Sequence, residues 1–151
     1  MSDEQQNHSG RVVVGVSPTS GSHAALRWGA AEAARLGAPL VALSAWRPPR
    51  APIAPGGRPP AVSYDAGHAA DEARSRLADQ VRDALGAEAE VVTEVVHGST
   101  FRVLLQASET AELLVLDAPS RLELPEGPTL ARRLIYNAEC PVVLMPPKIL
   151  G

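Results

Sequence analysis

The stretch LDAPSRLELPEGPT, residues 116–129, contains the residues best placed to do chemistry. It leads from a short apolar segment into an Ala/Arg-rich region with helical spacing. In an α/β protein such a strand-to-helix turn is a usual place to bind phosphate, because the amides at a helix N-terminus point toward the ligand. Phosphate binding is therefore the first function that this stretch suggests.

Two further turns contain residue types found at anion sites. The segment VVHGST places Gly98 directly after the third apolar run, where it suits either a close approach of the backbone to a ligand or a tight turn. The segment VSPTSGS presents hydroxyls that suit an anion nest or, as the preferred interpretation, a turn with an N-cap. These hydroxyls belong to Ser17, Thr19, Ser20 and Ser22.

Side chains that bind metals or act as nucleophiles are scattered along the chain. No histidine has a second ligand at metal-binding spacing, and only His97, at the end of a predicted strand, is placed to face a cleft. Cys140 stands just before the last apolar run, which is typical of a small core residue rather than of a nucleophile. We therefore predict no catalytic residue and no metal site.

Composition limits the class of protein. A chain of 151 residues that is 45% apolar suffices for one domain with a single core. Its net charge of −3 argues against nucleic acid or an anionic membrane as a partner. No apolar run approaches the about 20 residues of a membrane-spanning helix. The lone cysteine and the polar, acidic start predict a cytoplasmic protein with a disordered tail over 1–10 and one domain over 11–151.

Five short apolar runs predict five strands. They are rich in β-branched residues and do not alternate with polar ones, which is typical of strands buried on both faces. Helical patterns lie between them: after Ser22 up to Gly37, from Ala70 to Gly86, over 101–107, and from Pro128 and Thr129 onward. The runs are VVVGV (12–16), LVALSAW (Leu40–Trp46), VVTEVV (91–96), LLVL (113–116) and VVLM (Val142–Met145).

The alternation of strands and helices predicts an α/β fold. Right-handed crossovers between adjacent parallel strands give a single, doubly wound, five-stranded parallel sheet with helices on both faces. A proline-rich connection over 47–67 interrupts the rhythm, and we expect an exposed, irregular loop there. Its RPPRAP segment also matches a polyproline ligand, although a simple connecting loop is the preferred interpretation.

Three segments carry a resemblance to a known family. They are VVVGVSPTSGSHAALRWGAAEAARLGAPLVALSAW, VVHGSTFRVLLQASETAELLVLD and AECPVVLM. In this order and spacing they resemble the universal stress protein family over 11–146, apart from the proline-rich loop. The resemblance implies a flavodoxin-like sheet of the adenine nucleotide alpha hydrolase type, with strand order 3-2-1-4-5. It also implies a homodimer joined through the last strand and, in one branch, ATP bound at the carboxyl ends of the strands.

The ATP-binding branch carries the motif G-x2-G-x9-G-[ST] after the fourth strand and an aspartate at the end of the first. Aligned by the resemblance, Ser17 stands where that aspartate belongs. Asp117 and Ser120 stand at the first two motif glycines, and Pro128 stands at the third. Thr129 keeps the hydroxyl that follows.

These replacements argue against binding of a triphosphate. Pro128 has no amide hydrogen to donate, and Asp117 adds a negative charge near where the terminal phosphates would lie. We therefore expect no ATP and no other cofactor. The alternative is that ATP, AMP or cyclic AMP still binds at the positions that the resemblance assigns to the site. These positions are Ser17, Gly98, Asp117, Ser120, Gly127 and Thr129.

The last apolar run predicts a dimer. In the implied strand order it is an edge strand, and an apolar edge invites aggregation unless it is covered. Pairing with a second copy about a two-fold axis would cover it. The expected interface is formed by Val142, Val143, Leu144 and Met145.

Functions from different classes remain open. The preferred one is a non-enzymatic, dimeric module of the stress response that has lost its nucleotide site and contacts an unidentified protein partner. The second is a sensor that still binds a nucleotide or another small anion. A hydrolase acting on ATP ranks last, because the sequence supplies neither phosphate-binding amides nor a positioned metal or base.

Overall fold

The computed structural model describes residues 10–18, 23–48, 66–118 and 129–146. Strands and helices alternate along these ranges, and the strands lie where the apolar runs predict them. The elements are β1 (Arg11–Gly15), α1 (Ala24–Leu36), β2 (Leu40–Trp46), α2 (Ala66–Leu85), β3 (Val92–His97), α3 (Thr100–Ser108), β4 (Ala111–Asp117), α4 (Leu130–Asn137) and β5 (Val142–Met145).

The strands form one parallel sheet in the order β3-β2-β1-β4-β5, so the predicted doubly wound fold is confirmed. Val13 lies in register with Val41 on β2 and with Leu114 on β4, which places β1 at the centre. The chain adds strands on one side of β1 and then returns to add the others on the opposite side. This change of direction between β1 and β4 is the place where ligands bind in open α/β sheets.

Successive strand residues send their side chains to opposite faces, so each face has its own core. On the first face α1 and α2 cover Val12, Val14 and Val115, with Leu26 and Leu77 supplied by the helices. On the second face α3 and α4 supply further buried residues against the sheet. That second core includes Val13, Leu43, Leu104, Leu114 and Leu134.

Close packing of α1 on the sheet depends on a glycine. A Cβ atom added at Gly29 would lie 2.6 Å from Val14 Cγ2, inside the contact distance of two carbons. The helix ends at Gly37, whose φ of 66° is left-handed and whose amide donates to the carbonyls of Ala33 and Ala34. The predicted end of this helix is therefore confirmed, whereas the proposed N-cap Ser22 lies outside the described residues.

The second helix starts earlier than its apolar pattern indicates. It begins at Ala66, so its first residues, Ala66 and Gly67, fall within the stretch predicted as a loop. The first turn of a helix need not bury a side chain, and periodicity therefore does not mark it. The rest of that loop beyond Pro48, and the predicted tail before Gly10, lie outside the described residues. Among the helices described, none is long and apolar enough to cross a membrane.

Candidate functional site

The predicted site residues that the structure describes lie at the carboxyl edge of the sheet. Asp117 is the last residue of β4, Gly98 directly follows β3, and Ser17 follows β1. Thr129 immediately precedes α4. The predicted site residues Ser120 and Gly127 lie outside the described residues. The topology therefore places the described candidates at one edge, where parallel strands end and helices begin.

Asp117 is turned toward α1. It lies two residues after Val115, which packs in the first core, so both side chains leave β4 on the same face. The amide of Ala25 donates a hydrogen bond of 3.1 Å to Asp117 Oδ1. His23, at the N-cap position of α1, makes no capping hydrogen bond with its own side chain. Asp117 thus caps α1 from 92 residues away and places a negative charge at its positive end.

Ser17 is tied to α2 through its backbone. Its carbonyl oxygen accepts a 2.9 Å hydrogen bond from Gln80 Nε2, while the residue itself is exposed. A serine hydroxyl is shorter than the aspartate that the resemblance implies at this position, and it has no charge. Ser17 is therefore at the expected edge, with a different chemical character.

Gly98 forms a tight turn. Its φ is 145°, a region that favours glycine, and its amide donates a 3.0 Å hydrogen bond to the carbonyl of Trp46. A Cβ atom at this position would lie 3.3 Å from Val103 Cγ2. These local demands account for the glycine without any ligand.

Two hydroxyls cap the helices of the second face. Thr129 Oγ1 accepts a 3.2 Å hydrogen bond from the amide of Arg132, and Ser99 Oγ accepts a 3.3 Å bond from the amide of Arg102. Each satisfies an amide of the first helical turn that has no partner within the helix. The expected helix start at Thr129 is therefore confirmed.

The sequence reasoning missed a groove of about 450 Å³ on the second face, open to solvent. It lies where β2 and β3 end and where α3 and α4 begin. Arg133 stacks on the ring of Phe101, with its Cζ atom 4.0 Å from the ring centroid. We call this the arginine groove, and it is lined by Arg47, Ser99, Thr100, Phe101, Leu130 and Arg133.

One signal in the sequence could have found the groove. Arg47 directly follows the second apolar run, so it had to lie at the carboxyl edge with the other candidates. The sequence prediction includes Arg47 in the proline-rich loop over 47–67 instead. Arg133 carried no such signal, because an arginine on an amphipathic helix is ordinary and only packing brings it beside Phe101.

Cys140 behaves as a packing residue. It lies half-buried against the second core, and burial raises the pKa of its thiol. A raised pKa reduces the thiolate fraction that a nucleophile needs. Within the described ranges, no group of three or more His, Cys, Asp and Glu side chains is arranged to hold a metal ion.

Among the described residues, the edge strand β5 forms backbone hydrogen bonds on one side only, with β4. The carbonyls of Pro141 and Met145 accept hydrogen bonds of 3.0 and 2.8 Å from β4 and its following residue. Since alternate residues of a parallel strand bond to opposite sides, the backbones of Val142 and Leu144 point away from β4. All four β5 side chains are half-buried in the single chain.

Both the sequence and the fold of the chain are similar to those of known proteins. The chain matches the model of the Universal stress protein family over residues 8–146. A search of curated proteins found no match.

Several solved structures share the fold. A universal stress protein family member from Burkholderia pseudomallei is 21% identical, with a TM-score of 0.60 over 91% of this chain and 96% of its own. The universal stress protein from Archaeoglobus fulgidus in complex with dAMP is 21% identical, with a TM-score of 0.57 over 89% and 96%. A universal stress protein in complex with cAMP is 20% identical, with a TM-score of 0.57 over 92% and 98%.

Proposed function

Because the chain belongs to the universal stress protein family, we propose that it is a non-enzymatic, dimeric interaction module of the stress response. In this proposal the protein works in the cytoplasm and does not hold ATP through the turn after β4. The observation that carries the proposal is the 3.1 Å hydrogen bond from the Ala25 amide to Asp117 Oδ1.

Through this hydrogen bond, a carboxylate of the protein itself lies at the N-terminus of α1. A phosphate is attracted to a helix N-terminus by its free amides and its partial positive charge. At α1 the carboxylate of Asp117 already accepts one of those amides. A phosphate brought close to it would meet a like charge, at a cost of about 4 kcal/mol for unit charges about 4 Å apart near a protein surface.

Other positions of the family motif support the same conclusion. Ser17 and Pro128 replace the aspartate and the third glycine of the ATP-binding branch. Each replacement removes a negative acceptor for the nucleoside or an amide donor for the phosphates.

The outer edge of β5, which pairs with no other described strand, supports the dimer. The backbones of Val142 and Leu144 point away from β4, so they can pair with the same residues of a second copy about a two-fold axis. Pro141 and Pro146 flank the strand and limit this pairing to four residues, Val142 to Met145. Pairing would also shield the half-buried side chains of that strand.

Native mass spectrometry of the freshly purified protein, followed by titration with ATP, tests both parts. We expect a dimer without nucleotide that does not take up ATP. Asp117→Gly, which restores the first motif glycine, should bind ATP more tightly than the wild type. Glu112→Gln removes one negative charge from an exposed position on the same strand and serves as the matched control.

Saturable ATP binding by the wild type, equal to that of Asp117→Gly, would overturn the loss of the nucleotide site. A monomer at all working concentrations would overturn the dimer. Leu144→Pro removes an outward amide from the β5 edge and should favour the monomer, as measured by light scattering, with circular dichroism to verify that the chain is folded.

A nucleotide sensor is the second candidate. Two of the structural neighbours are universal stress proteins in complex with cAMP and with dAMP, which are ligands with a single phosphate. A single phosphate brings less negative charge to Asp117 than a triphosphate does. Nucleotide retained through native purification, or saturable binding of AMP or cyclic AMP, would favour the sensor over the interaction module.

A further inference from the structure

We propose that the outer edge of β3 binds an extended, basic segment of a partner protein as an additional strand of the sheet. This inference rests on the proposed function, because it names the surface with which the interaction module contacts its partner. Three features carry it: the outward-facing backbone of β3, the exposed valines on its second face, and the acidic side chains beside them.

The strand β3 has a longer outer edge than β5, with six residues against four. The amide of Gly98 donates to the carbonyl of Trp46 on β2, so the backbones of alternate residues before Gly98 also face β2. The residues between them turn their backbones outward, where no other described strand pairs with them. These outward residues are Thr93, Val95 and His97.

The outer edge of β3 is open to a further strand. Prolines at both ends of an edge strand restrict pairing, and Pro141 and Pro146 flank β5 in this way. In contrast, β3 contains neither proline nor lysine, and it pairs with β2 without a shift in register. Its acidic residue, Glu94, disfavours an acidic neighbour strand and favours a basic one.

Two valines of β3 lie uncovered on the second face. Val95 packs against the first core, so Val92 and Val96, at odd spacing from it, leave the strand on the opposite face. They belong to neither core and are 52% and 37% exposed. Side chains of a neighbouring strand would lie beside them and bury this aliphatic surface.

Acidic residues alternate with these valines. Glu90 comes two residues before Val92; it is exposed and forms no ion pair within the described part of the chain. Glu94 lies between the valines, and its exposed carboxylate is 3.8 Å from Arg11 Nη1, which makes a weak ion pair. The row therefore fits a strand that places Lys or Arg beside the glutamates and aliphatic residues beside the valines.

The same charges favour another protein over a second copy of this chain. A second β3 would bring its own Glu90 and Glu94 to the same row, and like charges across two strands are destabilising. In the proposed dimer β5 covers its own edge, which leaves one β3 edge at each end of the joined sheet. We therefore expect one bound segment per chain.

The test titrates the full-length protein with the acetylated and amidated peptide VTKTVTK, while hydrogen exchange of single amides is followed by NMR. In an extended peptide of this sequence, valine and lysine alternate on one face and threonine occupies the other. The amides of Thr93, Val95 and His97 should exchange rapidly in the free protein and about tenfold more slowly with bound peptide. The amides of Glu94 and Val96, which face β2, should change little.

Variants separate backbone pairing from charge. Thr93→Pro removes an outward amide at a sheet edge, where proline is tolerated, and should abolish binding. Circular dichroism would verify that this variant is folded. Glu94→Gln should weaken binding about threefold, which is the effect of one exposed ion pair. Glu139→Gln removes the same charge at an exposed position near β5 and is the matched control.

Unchanged exchange at the three outward amides in millimolar peptide would overturn the site. Slow exchange of these amides in the free protein would also overturn it, because residues 49–65 or, if the slowing grows with protein concentration, a second copy would then cover the edge. Equal binding of the peptide VTETVTE would overturn the basic partner. Uptake of ATP by the wild type, with the expected peptide result, would count against the proposed function alone.

Discussion

At the carboxyl edge of the sheet, the two faces carry charges of opposite sign. On the α1 face, Asp117 ends β4 and its carboxylate accepts a helix amide from the same molecule. On the α3 and α4 face, Arg47 and Arg133 line an open groove and form no ion pair among the described residues. The first face supplies its own anion, whereas the second face leaves its positive charges to solvent or to a ligand.

This difference follows from strand geometry. Leu116 and Asp117 are neighbours in β4, yet one packs in the second core and the other caps a helix on the first face. An interior strand thus supplies both faces, and a change of one residue type at its end alters only one of them. The following predictions test the comparison, beginning with the largest expected effect.

Leu134→Ala should destabilise the face of the sheet that is covered by α3 and α4. Leu134 is fully buried and is the buried residue of the short helix α4, so its truncation should cost about 3 kcal/mol of unfolding free energy. Urea denaturation would measure the loss. Hydrogen exchange should speed up in α4 and stay slow at Ala25. Ile135→Ala, at a 52% exposed position on the same helix, should have little effect.

Asp117→Ala should destabilise the N-terminus of α1 on the other face of the sheet. Loss of the tertiary cap leaves the Ala25 amide without this acceptor and should cost about 1–2 kcal/mol. Asp117→Asn keeps an oxygen acceptor and should cost less. Equal stability of Asp117→Ala and the wild type in thermal unfolding would contradict the capping role.

Ser99→Ala and Thr129→Ala each remove the local N-cap of one helix, α3 and α4 respectively. Each should cost about 1 kcal/mol, because each removes the acceptor of one first-turn amide. Urea denaturation of both variants would measure the two losses of unfolding free energy.

Substitution of Glu32 should have the smallest effect on stability. Its partner Arg35 lies three residues away on the same helix, whereas the partner of Asp117 is 92 residues away. The hydrogen bond from Arg35 lowers the pKa of the Glu32 carboxyl below its usual value. Because the folded-state pKa is depressed, the stabilising contribution is present above the unfolded pKa and is lost as the pH falls through the folded one. Glu32→Gln should therefore lower the Tm slightly at neutral pH and not in strong acid.

Much of the fold could be predicted because the strands are buried on both faces. Runs such as VVVGV and LLVL indicate parallel strands without any tertiary information, and Gly37 marks a helix end by its chemistry alone. The start of α2 could not be placed in the same way, because the residues of its first turn need no apolar pattern. Boundaries that no buried side chain or cap marks are therefore the ones that pattern misses.

The candidate site was predictable in its location more than in its contacts. Asp117 could be placed at the carboxyl edge and near an expected ligand, since the parallel order of the strands brings their ends together. Its hydrogen-bond partner could not be foreseen, because Ala25 is 92 residues away and its amide has no sequence signature. The same holds for Arg133 and Phe101, whose contact joins two helices across the groove.

Residue type and spacing by themselves determined the order of strands and helices along the chain and the parallel sheet. These properties depend on hydrophobic periodicity and on backbone chemistry, which each short segment carries alone. Only the tertiary structure decided that Asp117 caps α1 and that Arg47 and Arg133 share a groove. Both arrangements depend on which faces two distant segments turn toward each other, and that follows from the packing of the whole domain.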